Sequence, residues 1–184
     1  MRTIDDINFD RNYLHPTIRF LLLDDLTTNR VGPTPVIPLP NALLMTFVNV
    51  YNNLMQCQLY IRNENRKMIK LCISNRNIMD WDNLNNEMHS NVNEVYIFCD
   101  TFHDYTLMQR WNGCYQDKIR GVYLPDQVDH KLLKLGIDYI YSILPEFQED
   151  RGLSRIFRAD ARRLLDALRE YFQDQMDEND DDDD

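Results

Sequence analysis

Short, nearly continuous apolar runs are the feature of this sequence that most constrains its fold. The runs at 18–23, 68–73, 95–99 and 119–124 read IRFLLL, MIKLCI, VYIFC and IRGVYL. Apolarity without alternation is typical of strands buried on both faces, as in parallel sheets. The segments between the runs favour helices, and alternating strands and helices with right-handed crossovers predict a doubly wound, flavodoxin-like α/β fold. We expect a parallel sheet of about five strands.

The intervening segments carry helix signals of unequal strength. Asn41 is a suitable N-cap for a helix through residues 42–51, ALLMTFVNVY. The stretch 52–65 stays ambiguous, with a short helix in QCQLYIRNEN as one interpretation. Weaker patterns predict helices within 77–90 and 105–111. A longer helix should begin at Asp126, be interrupted at Gly136 and stop at Pro145.

The chain divides into four predicted segments. Residues 1–16 form a flexible arm, 17–145 the α/β domain, 146–176 an amphipathic helix and 177–184 a disordered acidic tail. The helix should fray before Asp177, because negative charge is unfavourable at a helix C-terminus. Its apolar positions recur at spacings of 4, 4, 3, 4 and 4; they are Leu153, Phe157, Ala161, Leu164, Leu168 and Phe172. These either pack within the chain or bind a partner such as a second copy of the chain.

Charge and composition exclude several classes of protein. The net charge is −10, and the segment 177–184 carries seven negative charges. Removing those seven from −10 leaves −3 for the rest of the chain. We expect no basic stripe for nucleic acid, and no apolar run approaches the ~20 residues that span a bilayer. The four cysteines form no CxxC pair and no signal peptide is apparent, which favours an intracellular protein, cytoplasmic or nuclear.

Polar residues follow the predicted strands, at the edge where parallel α/β folds place their sites. The candidates are Asp24, Asp25, Ser74, Asp100, Thr101 and, close by, His103. A haloacid-dehalogenase-type phosphatase needs a DxD motif after the first strand, and Leu26 occupies the second Asp position. A hydrolase that holds Mg²⁺ or Mn²⁺ with Asp24, Asp25 and Asp100 remains an alternative.

The stretch FLLLDD resembles the first strand of a response-regulator receiver. The resemblance implies a Mg²⁺-binding acidic pair at Asp24 and Asp25, a phosphate-accepting position at Ser74 and a hydroxyl at Thr101. A serine stands where receivers have an aspartate, and no lysine lies near Leu124, the position of the receiver lysine. The stretches IRFLLLDD, QCQLYIRNENRKMIKLCIS, VNEVYIFCD and KIRGVYLPD resemble a narrower group. These are receiver-like domains ahead of tetratricopeptide or mono-ADP-ribosyltransferase domains in some invertebrate proteins.

The missing acceptor and lysine predict a non-catalytic pseudo-receiver that acts as a protein-interaction or regulatory module. We expect no required cofactor, with Asp24 and Asp25 as a vestigial site for weak Mg²⁺ binding. An unknown protein partner is expected, and neither nucleic acid nor a membrane. A third hypothesis makes the acidic tail a binder of basic proteins.

Overall fold

The computed structural model describes residues 18–24, 48–83, 89–111, 115–124 and 127–180. The chain forms two compact units. The sheet unit contains the described residues up to Val128, and the helical unit contains residues 129–180. The predicted arm at 1–16, Asp25, Asn41 and the last four residues lie outside the described residues.

The sheet unit is built on five parallel strands. They are β1 (Ile18–Leu23), β2 (Val48–Tyr51), β3 (Met68–Ser74), β4 (Val92–Phe98) and β5 (Ile119–Tyr123). Their order across the sheet is β2-β1-β3-β4-β5, and every neighbouring pair is parallel. The structure thus confirms the predicted doubly wound α/β fold.

Six helical segments follow or connect the strands in the described part of the chain. The sheet unit contains α1 (Leu54–Asn63), α2 (Asn75–Asn83) and α3 (Phe102–Gln109). Then come α4 (Val128–Ile143), a 3₁₀ turn (Leu144–Phe147) and the long helix α5 (Arg151–Asp180).

One face of the sheet and helices α1 to α3 share a hydrophobic core. In-register residues such as Leu21, Leu71 and Val95 face the same side of β1, β3 and β4. They pack in one cluster with buried side chains of the helices, including Trp81, which is 0% exposed. The alternate residues of β1, Phe20 and Leu22, are also buried. Burial on both faces explains why the strand sequence is continuously apolar rather than alternating.

The other face of β3 and β4 carries a compact polar group. The Nζ of Lys70 lies 2.9 Å from the Oε2 of Glu94, and the Tyr96 hydroxyl donates a 2.6 Å hydrogen bond to the same oxygen. Burial raises the pKa of Glu94, but the hydrogen bonds from Tyr96 and Lys70 outweigh it and hold that pKa below its usual value. The pKa of Tyr96 is raised, mainly by burial and also by its hydrogen bond to Glu94. The three side chains therefore stabilise one another's charge states.

The helix predicted across 42–51 is wrong at its C-terminal end. Residues Val48–Tyr51 form strand β2, which pairs with β1 from Phe20↔Val48 to Leu23↔Tyr51. Two valines and a tyrosine in four residues favour a strand, and pairing with a buried neighbour completes its hydrogen bonds on that side. The ambiguous stretch that follows contains α1, with Asn53 as its N-cap.

The C-terminal helices also differ from prediction at three points. Helix α4 runs through Gly136 without interruption, because burial of neighbours such as Leu132, Leu133 and Ile140 outweighs the ~1 kcal/mol helix penalty of glycine. Helix α5 begins at Arg151 rather than at residue 146, because the segment before it forms the 3₁₀ turn. It continues to Asp180, past the expected fraying point at Asp177. Extending an existing helix adds a hydrogen bond per residue, which offsets the terminal charge penalty.

Candidate functional site

Asp24 stands at the switch point of the sheet. The strand order reverses between β1 and β3, so their carboxyl ends border the position where α/β folds form a crevice. Asp24 follows β1 directly, is half-buried, and its backbone N–H donates to the Tyr51 carbonyl at 3.0 Å. Because Leu23 pairs with Ile73, Asp24 and Ser74 are neighbours along this edge. Asp25, its predicted companion, lies outside the described residues.

The Ser74 hydroxyl is hydrogen-bonded to the first turn of the helix that follows it, α2. Its hydroxyl donates a 2.8 Å hydrogen bond to the Asn77 side-chain oxygen and accepts a 3.3 Å bond from the Asn77 backbone N–H. That arrangement caps the first turn of α2. Ser74 is 3% exposed, so the residue at the receiver acceptor position is a buried, engaged hydroxyl.

Asp100 forms an ion pair with Arg76, and sequence reasoning missed that partner. The Asp100 side chain is 4% exposed, whereas the Arg76 side chain is 39% exposed. Arg76 lies in the first turn of α2, so the pair joins the carboxyl ends of β3 and β4. Among the described residues, no three His, Cys, Asp or Glu side chains are grouped closely enough to hold a metal ion. The predicted metal ligand Asp100 is thus neutralised by a guanidinium.

Thr101 and His103 belong to the first turn of α3. The Thr101 hydroxyl accepts from the Asp104 backbone N–H at 3.1 Å and donates to the Asp104 carboxylate at 2.8 Å, which makes Thr101 the N-cap. His103 is exposed. Cys99, just before them, is 0% exposed, and burial, together with Asp104 and Asp100, raises its pKa to about 12. A protonated, buried thiol of this kind is a poor nucleophile.

The predicted apolar face of α5 is largely buried. Phe157 and Leu164 are 1% and 0% exposed, and the Phe157 ring lies 5.1 Å from that of Phe147. Leu153 and Leu168 are half-buried. Phe172 is 50% exposed, although its ring contacts His130 at 5.9 Å. Phe157 and Leu164 are thus buried within the chain, and partner binding by the exposed end of this face at Phe172 stays a prediction.

A second face of α5 carries a surface groove that we call the arginine groove. Its volume is about 590 Å³ and it is lined by Gln148, Arg151, Ser154, Arg155, Arg158, Ala159 and Arg162. All four arginines are exposed. Within the part of the chain that the structure describes, none of the four forms an ion pair with a carboxylate. In contrast, Arg163 approaches Asp160 at 3.7 Å.

The arginine groove corrects the expectation that the chain lacks a basic stripe. Its arginines recur at spacings of 4, 3 and 4 residues, the period of one helix face. The arginines of this helix were visible in the sequence, but their exposure and their grouping in one groove were not. Clustered, unpaired guanidinium groups bind carboxylates or phosphates through bidentate hydrogen bonds.

These observations define a doubly wound α/β domain followed by a long helix with an arginine-lined face. The sequence matches no protein-family model, and neither the curated proteins nor the solved structures contain a match. Within the described residues, no helix combines the length and apolarity that crossing a membrane requires.

Proposed function

We propose that this chain is a non-catalytic interaction module that binds an acidic protein surface through the arginine groove. The observation that carries the proposal is the set of four exposed arginines, unpaired within the described residues, on one face of α5. Like charges at such spacing destabilise a helix by a few tenths of a kcal/mol per pair. A partner that supplies carboxylates removes this repulsion and satisfies the guanidinium donors.

The polar groups at the strand ends support the non-catalytic part of the proposal. Ser74 and Thr101 cap helices, and Asp100 is paired with Arg76. Phosphoryl transfer needs a positioned nucleophile and a cation aimed at the transferred group. Here Arg76, the cation at the carboxyl edge of the sheet, already forms an ion pair with Asp100. The receiver resemblance therefore contributes a fold and a regulatory role to the proposal, and no reaction.

A peptide-binding titration tests the proposed groove. A fluorescent peptide rich in Asp and Glu should bind the protein at low salt and lose affinity as the salt concentration rises through about 0.1 M, where charge screening reaches ~10 Å. The variant Arg155→Glu/Arg158→Glu should lose this binding. The matched control, Arg62→Glu/Arg66→Glu, alters the net charge equally on exposed residues of the sheet unit. Equal weakening in both variants would show that net charge, and not the groove, controls binding.

A second experiment tests the absence of catalysis at the strand ends. Protein incubated with acetyl phosphate and Mg²⁺ should show no phosphorylation by mass spectrometry, and calorimetry should detect at most weak Mg²⁺ binding. A phosphate on Ser74 or Asp100, or tight Mg²⁺ binding that Asp24→Asn abolishes, would favour the metal-dependent hydrolase or an active receiver instead.

A further inference from the structure

We infer that the segment bound by the arginine groove is an α-helix of another protein, which packs along α5 through acidic and apolar residues. The inference rests on the proposed function, because it names the shape and chemistry of the partner of the same groove. The exposed side of α5 continues beyond the groove through Leu165, Arg169 and Phe172. We call these three residues and the four arginines of the groove the exposed stripe.

The exposed stripe repeats every seven residues. From Arg151 onwards its members lie 4, 3, 4, 3, 4 and 3 residues apart, and every one of them is exposed. The stripe covers about 32 Å of helix at 1.5 Å per residue. On a straight helix a seven-residue repeat drifts by ~20° per heptad, and a second helix that crosses at about +20° follows this drift. The stripe therefore has the geometry of a seam for one packed helix.

The composition of the exposed stripe defines the chemistry of that helix. Five of its members are arginines, and within the described residues none of the five forms an ion pair with a carboxylate. The other two are apolar, with Leu165 42% and Phe172 50% exposed. Guanidinium groups pair with carboxylates, and exposed apolar side chains gain stability when a partner removes them from water. The partner helix thus carries acidic residues opposite the arginines and apolar residues opposite Leu165 and Phe172.

Two other occupants fit the exposed stripe less well. Alternate side chains of an extended segment lie about 6.6 Å apart, so seven of them on one side span about 40 Å, against about 32 Å for the stripe. A second copy of this chain brings like charges together. In parallel register every arginine opposes itself, and in antiparallel register Arg155 opposes Arg169. A helix of another protein avoids both conflicts.

Binding of designed peptides to the full chain tests the inference. A seam peptide carries Glu opposite the five arginines and Leu opposite Leu165 and Phe172, and it is made in both orientations. A scrambled peptide distributes the same residues evenly around the helix, and circular dichroism verifies that both kinds are equally helical. Fluorescence anisotropy should show that one of the seam peptides binds at least tenfold more tightly than the scrambled peptide.

A substitution outside the arginine groove tests whether the contact follows the whole stripe. Leu165→Gln changes no charge and should weaken binding of the seam peptide at least threefold, while binding of the scrambled peptide stays the same. The matched control is Leu59→Gln, at an exposed leucine of α1 in the sheet unit, which is 56% exposed. The control should bind the seam peptide like the original chain.

The outcomes separate this inference from the proposed function. If the seam and scrambled peptides bind equally, or if Leu165→Gln has no effect, the helical partner is overturned and an acidic partner of the groove is still supported. If no acidic peptide binds, both proposals are overturned. If sedimentation shows self-association that Leu165→Gln abolishes, the stripe belongs to a second copy and the inference is overturned.

Discussion

Replacing Arg76 should destabilise the protein more than replacing Asp100, although both substitutions break the same ion pair. The Asp100 side chain is 4% exposed and that of Arg76 39%. Arg76→Gln leaves a carboxylate buried without its cation. That loss costs about 3–5 kcal/mol in a fully buried pair and up to about 1 kcal/mol in an exposed one, so we expect about 2 kcal/mol here. Asp100→Asn leaves a guanidinium that reaches water, and we expect less than about 1 kcal/mol.

Urea titration followed by tryptophan fluorescence measures the stability that each variant loses in the sheet unit. Trp81 and Trp111, the two tryptophans of the chain, lie in the sheet unit together with the ion pair. For a chain of this size, 2 kcal/mol corresponds to a lowering of Tm by about 4–8 °C. The double variant should resemble Asp100→Asn, since it contains no buried charge. Equal losses from the single variants, or a larger loss from Asp100→Asn, would refute the reasoning from burial.

Two further predictions concern titrating groups. Glu94→Gln should lower the free energy of unfolding at pH 7, because hydrogen bonds from Tyr96 and Lys70 hold the folded-state pKa of Glu94 below its ordinary value of 4.5. This stabilisation is present above pH 4.5 and is lost on acidification. The difference in stability between the variant and the original chain should therefore shrink as the pH falls below 4.5. A deficit that does not change with pH in urea titrations would contradict this. Cys99 should react with iodoacetamide at pH 8 at least about a hundredfold more slowly in the folded than in the urea-unfolded protein, because burial raises its pKa to about 12. Similar rates in site-resolved mass spectrometry would show an accessible thiolate.

The sequence predicted strands β1 and β4, which are largely buried on both faces, and also β5, none of whose residues is fully buried. Strands Ile18–Leu23 and Val92–Phe98 contain apolar runs, and such runs were sufficient to predict the fold class. Strand β2 was missed because it has four residues, lies at the sheet edge and keeps Val50 47% exposed. Its strand state depends on pairing with β1, which is distant in sequence. A local pattern cannot report such a contact.

For the strand-end residues, the sequence likewise predicts their position along the chain but not the side chains that they contact. The sequence correctly places Ser74 at the end of a strand and Asp100 and Thr101 just after one. It does not show that Arg76 reaches Asp100, because that contact depends on the adjacency of β3 and β4 and on the start of α2. The available signal was a cationic residue, Arg76, in the first turn of the helix that follows the neighbouring strand. Such a cation converts a possible metal ligand into half of an ion pair.

The two faces of α5 show why net charge is a poor guide to binding. Apolar and arginine residues repeat with the same helical period, so the sequence shows two stripes without deciding which one is exposed. Burial of Phe157 and Leu164 assigns the apolar stripe to the interior and leaves the arginines outside. At physiological salt, charges act over about 8 Å, far less than the length of α5, which is about 45 Å. A partner therefore responds to the local charge of the arginine groove or of the acidic segment 177–184, and not to the net charge of −10.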